Sequence, residues 1–440
     1  MSGWADWGTT LAVIAVLVLP LAAAATTSRG DRGGAAFLTN AGRNGGLATL
    51  AGAVAGNVGI GSFLAIFLFA GQSPLIGYSI VGAYTLGLVL CAWLAPLIRA
   101  RADERGTIGL VDLIATTHAG TRMGWIWMPV AVVFVLRSAV QIGAIGLIAG
   151  EALGVGRGTM IAVASALMGL YLVTGGYRAA VRTDMLQAAV LVVGMAAAAT
   201  GLALAPVFVP SDATFGDLGP HEPAFLVAIW LLLPWSAVLA VDNWQRIVVA
   251  RTGATARGAY LVAALACGAI FATIAVAGTG AAPGASVRDT FEALMPRGAS
   301  WLASAMFVAC IMSSVDTFIM PLVTSLGPVF PLRTLRVLIA ALVAATAALA
   351  IAFGDTLANV IAAFNGLVVF LPAALGALLL TAPPRRGAVL SMNGGLVAAV
   401  TATMVNRDAG ALTGFAVAVL LYLACLAAAR REPAADRAGA

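Results

Sequence analysis

The chain contains 440 residues, of which 61% are hydrophobic and only 10% are charged, and its mean hydropathy is +1.01. This amount of polar surface is too small to cover a soluble globule, so the composition predicts a polytopic membrane protein. The formal net charge is +6, but the basic residues are all arginines and are spread over short loops rather than gathered in one patch. That distribution argues against a nucleic-acid partner.

Apolar runs that could each cross about 30 Å of hydrocarbon predict thirteen transmembrane helices. We therefore predict a single all-α membrane domain over 1–440, embedded in the plasma (cytoplasmic) membrane as a multi-pass protein in the lipid bilayer. The predicted helices cover 8–26, 45–71, 77–98, 125–150, 159–176, 184–206, 223–241, 257–279, 299–324, 334–353, 356–380, 387–404 and 410–429.

The first apolar run is predicted to be a true span rather than a cleaved signal peptide, because its leader MSGWADW carries an aspartate and no arginine. If the N-terminus lies outside, nineteen arginines fall in cytoplasmic loops and four fall outside, which is the bias that the positive-inside rule requires. The C-terminus is then cytoplasmic. The four exterior arginines are Arg157, Arg288, Arg297 and Arg407.

The second predicted span is interrupted by small residues. The stretch AGAVAGNVGIGSFLAIFLF (51–69) places a cluster of glycines and Asn57 where a spanning helix should be most regular. Unwinding at this point would free backbone carbonyls, which are uncharged oxygen ligands suited to an alkali cation. The alternative is that the small residues only allow neighbouring helices to pack closely.

A matching interruption is predicted in the helix that opens at 223, where LLLPWSAVLAVD places Pro234, Trp235 and Ser236 at nearly the same offset from the helix start. Transporters driven by ion gradients are often built from two inverted repeats whose first helices are broken near the midplane. The offsets therefore predict a five-plus-five inverted-repeat core with one helix before it and two after. Its parts are a leading helix and loop (1–44), a first repeat (45–206), an inverted second repeat (223–380) and two trailing helices (387–429).

The segment FVACIMSSVDTFIMPLVTSLG places Ser313, Ser314, Asp316 and Thr317 inside an otherwise apolar span. A carboxylate there is costly unless it faces protein, water or a cation, so Asp316 is a candidate for ion coupling, with Thr317 beside it. The two serines could complete a sodium shell with carbonyls of the broken helix. Two alternatives stay open: the hydroxyls could bond carbonyls of their own helix, or Asp316 could carry a proton.

Arg137 is the only arginine predicted to lie within a span, and Gln141 follows one turn later on the same helix face. Its guanidinium could pair with the carboxylate of a solute. It could equally neutralise Asp316 or extend to the membrane interface.

The sequence predicts neither an enzyme nor a resident metal centre. The GxxxxGK[ST] phosphate loop is absent, so ATP hydrolysis is not expected to drive the protein. The cysteines lie in apolar segments without the spacing of a zinc site or a disulfide framework. They are Cys91, Cys267, Cys310 and Cys425.

Several phrases resemble motifs of the sodium:solute symporter family, whose members have the LeuT-type core. The phrases are AAFLTNAGRNGGLATLAGAVAGNVGIGSFLA (35–65), YLVTGGYRAAVRTDMLQAAVLVVG (171–194), DNWQRIVVAR (242–251), CIMSSVDTF (310–318) and FNGLVVFLPAALGALLL (364–380).

This resemblance implies a sodium site and, beside it, a solute site between the two breaks. Sodium would be held by carbonyls of Ala55, Val58 and Cys310 and by the hydroxyls of Ser313 and Ser314. The side chains to consider around the solute are Asn57, Ser62, Arg137, Gln141, Trp235 and Ser236.

The chain departs from many members of that family just after the first break, where it has Gly59, Ile60 and Gly61. A sugar, which needs many hydrogen-bonding side chains, is therefore less expected. A small carboxylate or an amino-acid-like solute fits Arg137 and the sparse polarity better.

The phrase GGYRAAVRTDMLQ is expected to be a turn between two helices. Gly175 and Gly176 would end the first helix, and Asp184 would lie near the N-terminus of the next, where the helix dipole favours an acid. We expect Asp184 to have a structural or gating role.

Together these features predict a secondary active transporter that moves a small organic solute with sodium as the co-transported ion. One alternative is proton-coupled symport through Asp316, and another is a transporter-like membrane sensor that acts with a separate partner. A channel is disfavoured because the polar residues form local pockets rather than a lining along a pore.

Overall fold

The computed structural model describes residues 3–27, 34–42, 44–118, 123–204, 216–282, 284–327, 329–353 and 356–431. Within these ranges every regular element is helical, and the β-type pairing is an isolated bridge between Asn44 and Ala250. The predicted all-α fold class is therefore confirmed. Five of the arginines predicted to be cytoplasmic lie outside the described residues, namely Arg29, Arg32, Arg43, Arg122 and Arg437.

The α-helices of the described residues are α1 (Gly3–Thr27), α2 (Gly34–Thr39), α3 (Gly46–Asn57), α4 (Ile60–Gln72), α5 (Pro74–Arg105), α6 (Leu110–Thr117), α7 (Met123–Leu153), α8 (Arg157–Leu204), α9 (Pro223–Leu239), α10 (Val241–Val249), α11 (Gly253–Thr279), α12 (Val287–Leu294), α13 (Trp301–Thr324), α14 (Leu332–Ala352), α15 (Thr356–Leu367), α16 (Leu371–Leu379), α17 (Gly387–Val405) and α18 (Gly410–Arg431).

Ten of the described helical spans are long and apolar enough to cross a membrane, and two bent helix pairs raise the number to twelve. Helix α8 has 48 residues, roughly 70 Å at 1.5 Å per residue, which is too long for one crossing. Counting its two arms separately would give the thirteen predicted spans, so that number stays a prediction.

The two arms of α8 meet at Gly176, whose backbone (φ 58°, ψ −153°) lies in a region that only glycine adopts readily. A Cβ at this position would also lie 2.5 Å from the carbonyl oxygen of Phe37. The predicted turn is therefore a sharp kink, and the second arm resumes at once. The expectation that Asp184 lies near a helix N-terminus is wrong, because Asp184 is two turns inside this arm and buried.

Helix α13 is central to the fold, since its whole apolar window is buried and it packs against α1, α3, α7 and α8. Helices α17 and α18 pack on each other at the periphery, where only 28% and 22% of their apolar windows are buried. Exposed apolar side chains such as Trp93 and Leu265 cover the outer surface, as expected for a surface in contact with lipid. The polar residues of α13 consequently face protein.

The first interruption lies where the glycine cluster predicts it. Helix α3 ends at Asn57, α4 begins at Ile60, and the two meet at a bend of 51°. Neither Val58 (φ −92°, ψ 66°) nor Gly59 (φ −87°, ψ 162°) has a positive φ. Gly59 is required by space instead, because a Cβ there would lie 2.6 Å from Oγ of Ser314.

The second interruption lies downstream of its predicted position. Pro234, Trp235 and Ser236 belong to α9, and the backbone leaves the helix at Ala240 (φ −65°, ψ 118°). Helices α9 and α10 meet there at 47°. The prediction of a break at the proline is wrong because a proline removes only one backbone hydrogen bond, which membrane helices tolerate.

Side chains of α10 explain why the chain breaks at Ala240. Nδ2 of Asn243 donates to the carbonyl of Ala237 at 2.7 Å, and Nε1 of Trp244 donates to the carbonyl of Val238 at 2.5 Å. These bonds replace the backbone donors that the end of α9 has lost. The phrase DNWQR therefore specifies the second break.

Replacing Gly176 by alanine should lower the free energy of unfolding by about 1–3 kcal/mol, because the new Cβ meets a forbidden backbone conformation and Phe37. Gly158→Ala is the matched control in the same helix, since nothing lies within 4 Å of its Cβ position. Thermal unfolding in detergent measures the stability of both purified variants. Equal midpoints for the two variants would contradict the kink.

Candidate functional site

A cavity of about 120 Å³ lies between the broken helices and the helices α7 and α15. Five of the six predicted solute residues line it, and Trp235 is not among its described lining residues. The sequence did not single out Tyr84, Phe318 or Phe364. The described lining comprises Gly56, Asn57, Gly59, Gly61, Ser62, Ala65, Ile66, Ile80, Tyr84, Arg137, Val140, Gln141, Leu233, Ser236, Phe318, Val360, Ala363, Phe364 and Leu367.

Two polar side chains of this cavity hold the first break in shape. Oε1 of Gln141 accepts from the backbone N–H of Ile60 at 2.8 Å, which satisfies a donor in the first turn of α4. Oγ of Ser62 donates to the carbonyl of Gly59 at 2.8 Å and lies 3.1 Å from that of Asn57. Both side chains therefore stabilise the break.

A reciprocal amide pair joins the two broken helices. Nδ2 of Asn57 donates to Oδ1 of Asn243 at 3.0 Å, and Nδ2 of Asn243 donates back to Oδ1 of Asn57 at 3.2 Å. The hydroxyl of Tyr84 donates to Asn57 at 3.2 Å, and that of Tyr260 donates to Asn243 at 2.8 Å. All four residues are buried, so the pair fixes one break against the other.

The five residues implied as sodium ligands converge beside the first break. Oγ of Ser313 lies 3.0 Å from the carbonyls of Ala55 and Cys310, and Oγ of Ser314 lies 2.9 Å from the carbonyl of Cys310. Sγ of Cys310 donates to the carbonyl of Val58 at 2.7 Å. The serines thus make the bonds to their own helix that the alternative foresaw, and Ser313 also reaches across to α3.

The oxygen atoms at this site belong to hydroxyls and backbone carbonyls, which are ligands of hard cations. Among the described residues no group of three or more histidine, cysteine or acidic side chains could hold a metal ion. The converging ligands are therefore mainly hard oxygens, with the thiol of Cys310 beside them.

Asp316 and Thr317 point into a different cluster. Oδ2 of Asp316 accepts from the hydroxyl of Tyr171 at 2.9 Å and lies 3.5 Å from Oγ1 of Thr183, while its Oδ1 has no partner among the described residues. Oγ1 of Thr317 accepts from Nη2 of Arg246 at 2.7 Å.

Arg246 is the centre of this buried charged cluster. Its Nη1 lies 2.5 Å from Oδ2 of Asp242, and its Nη2 lies 3.4 Å from Oδ2 of Asp184. Arg246 is one of the nineteen arginines that the sequence assigned to cytoplasmic loops, and this assignment is wrong: Arg246 belongs to α10 and its side chain is only 5% exposed. The Asp–Arg spacing of four residues on a helix is the sequence signal that was missed.

The guanidinium of Arg246 explains two glycines of α3. A Cβ on Gly56 would overlap its Nη1, and a Cβ on Gly52 would lie 2.8 Å from its Nε. The small residues of α3 therefore make room for a charged side chain.

Hydrogen bonds connect the segment before α3 to two other helices. Nε2 of Gln245 donates to the carbonyl of Leu38 at 3.1 Å and to Oγ1 of Thr324 at 3.0 Å. The backbone N–H of Arg251 donates to the carbonyl of Asn44 at 3.0 Å. These bonds tie the segment before α3 to α10 and α13.

Arg137 does not neutralise Asp316, which was one of the roles considered from sequence. It makes no ion pair with a described residue, and its Cζ lies 5.2 Å and 4.7 Å from the ring centroids of Phe134 and Phe318. The guanidinium therefore lies against aromatic faces at the cavity wall, attracted by their quadrupoles.

No protein-family model and no curated protein matches the sequence. The fold is similar to the substrate-bound, outward-open state of a Na⁺-coupled sialic acid symporter, at 14% identity and a TM-score of 0.74 over 97% of this chain and 98% of that one. The chain has the LeuT-type transporter fold. This fold fits the resemblance of its motifs to those of the sodium:solute symporters.

A second LeuT-type transporter is similar over most of its length. Mhp1, a nucleobase-cation-symport-1 family transporter, was solved closed with bromovinylhydantoin bound, and matches at 14% identity with a TM-score of 0.58 over 89% of this chain and 94% of that one. Its inward-facing conformation matches at 13% identity with a TM-score of 0.53 over 88% and 90%. These proteins are transporters rather than enzymes.

Arg246→Gln should lower the free energy of unfolding by about 3–5 kcal/mol, because it leaves Asp242 and Asp184 buried without a cation. Adding Asp242→Asn should recover part of this loss. Arg297→Gln is the control, since Arg297 is exposed. Thermal unfolding in detergent compares the variants, and a midpoint for Arg246→Gln equal to that of the control would contradict the ion network.

Proposed function

We propose that the chain is a secondary active transporter that couples the uptake of a small organic solute to sodium by alternating access. The observation that carries this proposal is the convergence of Ala55, Val58 and Cys310 with the hydroxyls of Ser313 and Ser314, where a broken helix meets the central one. Oxygen ligands from an unwound helix are the usual sodium site of such transporters.

Sodium binding would join α3 to α13. The carbonyls of Ala55 and Val58 now accept from Ser313 and Cys310, and a sodium ion would take those oxygens directly. Ala55 and Val58 are adjacent in sequence to Gly56, Asn57 and Gly59, which line the cavity. The ion and the solute would therefore both affect the conformation of the first break. Shared use of one two-state element is what couples two ligands thermodynamically.

The bonds of Gln245 and Asn44 support an arrangement closed toward the cytoplasm. Transport then requires that these bonds break when the ion and solute are released on that side. The orientation with the N-terminus outside and the C-terminus cytoplasmic is part of this proposal, and it is consistent with outward-facing loading of both ligands.

Proton coupling is the second candidate, and Asp316 favours it. This carboxylate is fully buried and one of its oxygens has no partner among the described residues. The cluster holds three carboxylates, of Asp184, Asp242 and Asp316, and one arginine. A proton on Asp316 would reduce the excess of negative charge.

Sodium should raise the thermal unfolding midpoint of the purified protein relative to choline at equal ionic strength. A ligand that binds the folded state increases the free energy of unfolding, by about 2.7 kcal/mol when its concentration is 100 times the Kd. The double variant Ser313→Ala, Ser314→Ala should lose this shift. Ser138→Ala is the control, because Ser138 is also fully buried and bonds only the carbonyl of Phe134.

An undiminished sodium shift in the double variant would refute the site. If sodium gives no shift in the wild-type protein, while acidification stabilises it and Asp316→Asn abolishes that effect, the proton-coupled alternative holds.

A further inference from the structure

The cavity contains a charged side chain without a counter-ion. Among the described lining residues Arg137 is the one that is charged, and no described carboxylate lies within ion-pair distance of it. Asp242 is held by Arg246 at 2.5 Å, and Asp316 accepts from Tyr171. The charge of Asp242 interacts with Arg137 only from beyond ion-pair distance. The guanidinium therefore has no direct ion partner at the cavity wall, which marks Arg137 as the binding group for an anion.

The donors of Arg137 are available to a ligand. Its guanidinium is positioned by the rings of Phe134 and Phe318, and it makes no hydrogen bond to a described acceptor. A guanidinium presents a planar fork of N–H donors that matches the two oxygens of a carboxylate. Aromatic contact on its face leaves this fork free.

The rest of the cavity offers little else for polar recognition. Gln141 and Ser62 already bond the backbone of the break, and Asn57 bonds Asn243. Much of the remaining lining is apolar, with Ile66, Ile80 and Phe364 among it. The volume of about 120 Å³ is close to the ~150 Å³ apolar cavity that accepts benzene in another protein, so a solute of on the order of six heavy atoms fits.

Resting on the proposed function, we propose that the solute is a small monocarboxylate with a short apolar tail and no ammonium group. Its carboxylate pairs with Arg137 and its tail contacts the apolar lining. An amino acid is disfavoured because its ammonium would meet no described carboxylate in the lining and would be repelled by Arg137. A dicarboxylate is excluded because its second charge would be buried without a partner.

Charge balance links this solute to the ion. A sodium ion and a monocarboxylate together add no net charge to the neighbourhood of the first break. Each ligand therefore lowers the electrostatic cost of binding the other, which gives positive coupling between them.

Thermal unfolding of the purified chain at fixed sodium tests the proposal with acetate, propionate and butyrate, and with propionamide, alanine and succinate as matched controls. Propionate or a neighbour in its series should stabilise the protein. Propionamide, alanine and succinate should bind at least tenfold more weakly. Arg137→Gln should weaken binding of the monocarboxylate at least tenfold, and Arg137→Lys should recover part of that loss. Arg297→Gln, at an exposed arginine, should leave the binding affinity unchanged.

The ligand-free midpoint separates binding from a structural role. Arg137→Gln also loses the contacts of the guanidinium with the rings of Phe134 and Phe318, so each response to a solute is measured from the variant's own ligand-free midpoint. An undiminished response to the carboxylate in Arg137→Gln, equal responses to propionate and alanine, or no response to any of the three monocarboxylates would overturn the assignment.

Failure of the solute class and failure of the proposed function give different results. A sodium shift that persists without any carboxylate response refutes the monocarboxylate alone. An Arg137-dependent carboxylate response without any sodium shift supports the monocarboxylate and refutes sodium coupling.

Discussion

A helix interrupted inside a membrane must satisfy its free backbone groups from within the protein, and much of this structure follows from that constraint. At the first break Gln141 supplies an acceptor to Ile60, while Cys310 donates to the carbonyl of Val58. At the second break Asn243 and Trp244 supply the missing donors themselves. The two breaks are therefore chemically unequal.

This difference in how the carbonyls are bonded is why we propose the first break as the ion site. The carbonyls of Ala237 and Val238 already have donors from α10, within the same helix pair. The carbonyls near Val58 have donors from α13, a different helix, and those donors are small hydroxyl and thiol groups. A cation can replace such groups without unfolding α10, so the first break is the more adaptable of the two.

The charged cluster around Arg246 constrains the same region from the other side. The guanidinium of Arg246 lies against Gly52 and Gly56, and a carboxylate oxygen of Asp184 lies against Gly52, so a movement of α3 disturbs buried ion pairs. The reciprocal amides of Asn57 and Asn243 add a second tie between the broken helices. Together they favour switching between discrete arrangements over gradual deformation.

The sequence predicted what is encoded locally and missed what is assembled from distant segments. The glycine cluster at the first break was recognisable because glycines weaken a helix, and the serines of α13 were recognisable because they are polar residues in an otherwise apolar span. Pro234 was misleading, since the donors that stabilise the second break follow it in Asn243 and Trp244. Arg246 was counted as a loop residue because its spacing of four residues from Asp242 was not recognised as a helical pair, and its second partner Asp184 lies far away in sequence.

The cavity depends even more on tertiary structure. Arg137 was visible as an arginine in an apolar span, but nothing local indicated that its guanidinium lies against the rings of Phe134 and Phe318. Phe318 and Phe364 reach the cavity from distant segments of the chain, and no local pattern distinguishes a cavity aromatic from a core aromatic.

The central claim is that unwound backbone and two serine hydroxyls bind a sodium ion, and equilibrium binding of radioactive sodium to the purified protein tests it most directly. The account predicts saturable binding that unlabelled sodium displaces and choline does not. Binding that is absent, or that choline displaces equally well, would contradict it.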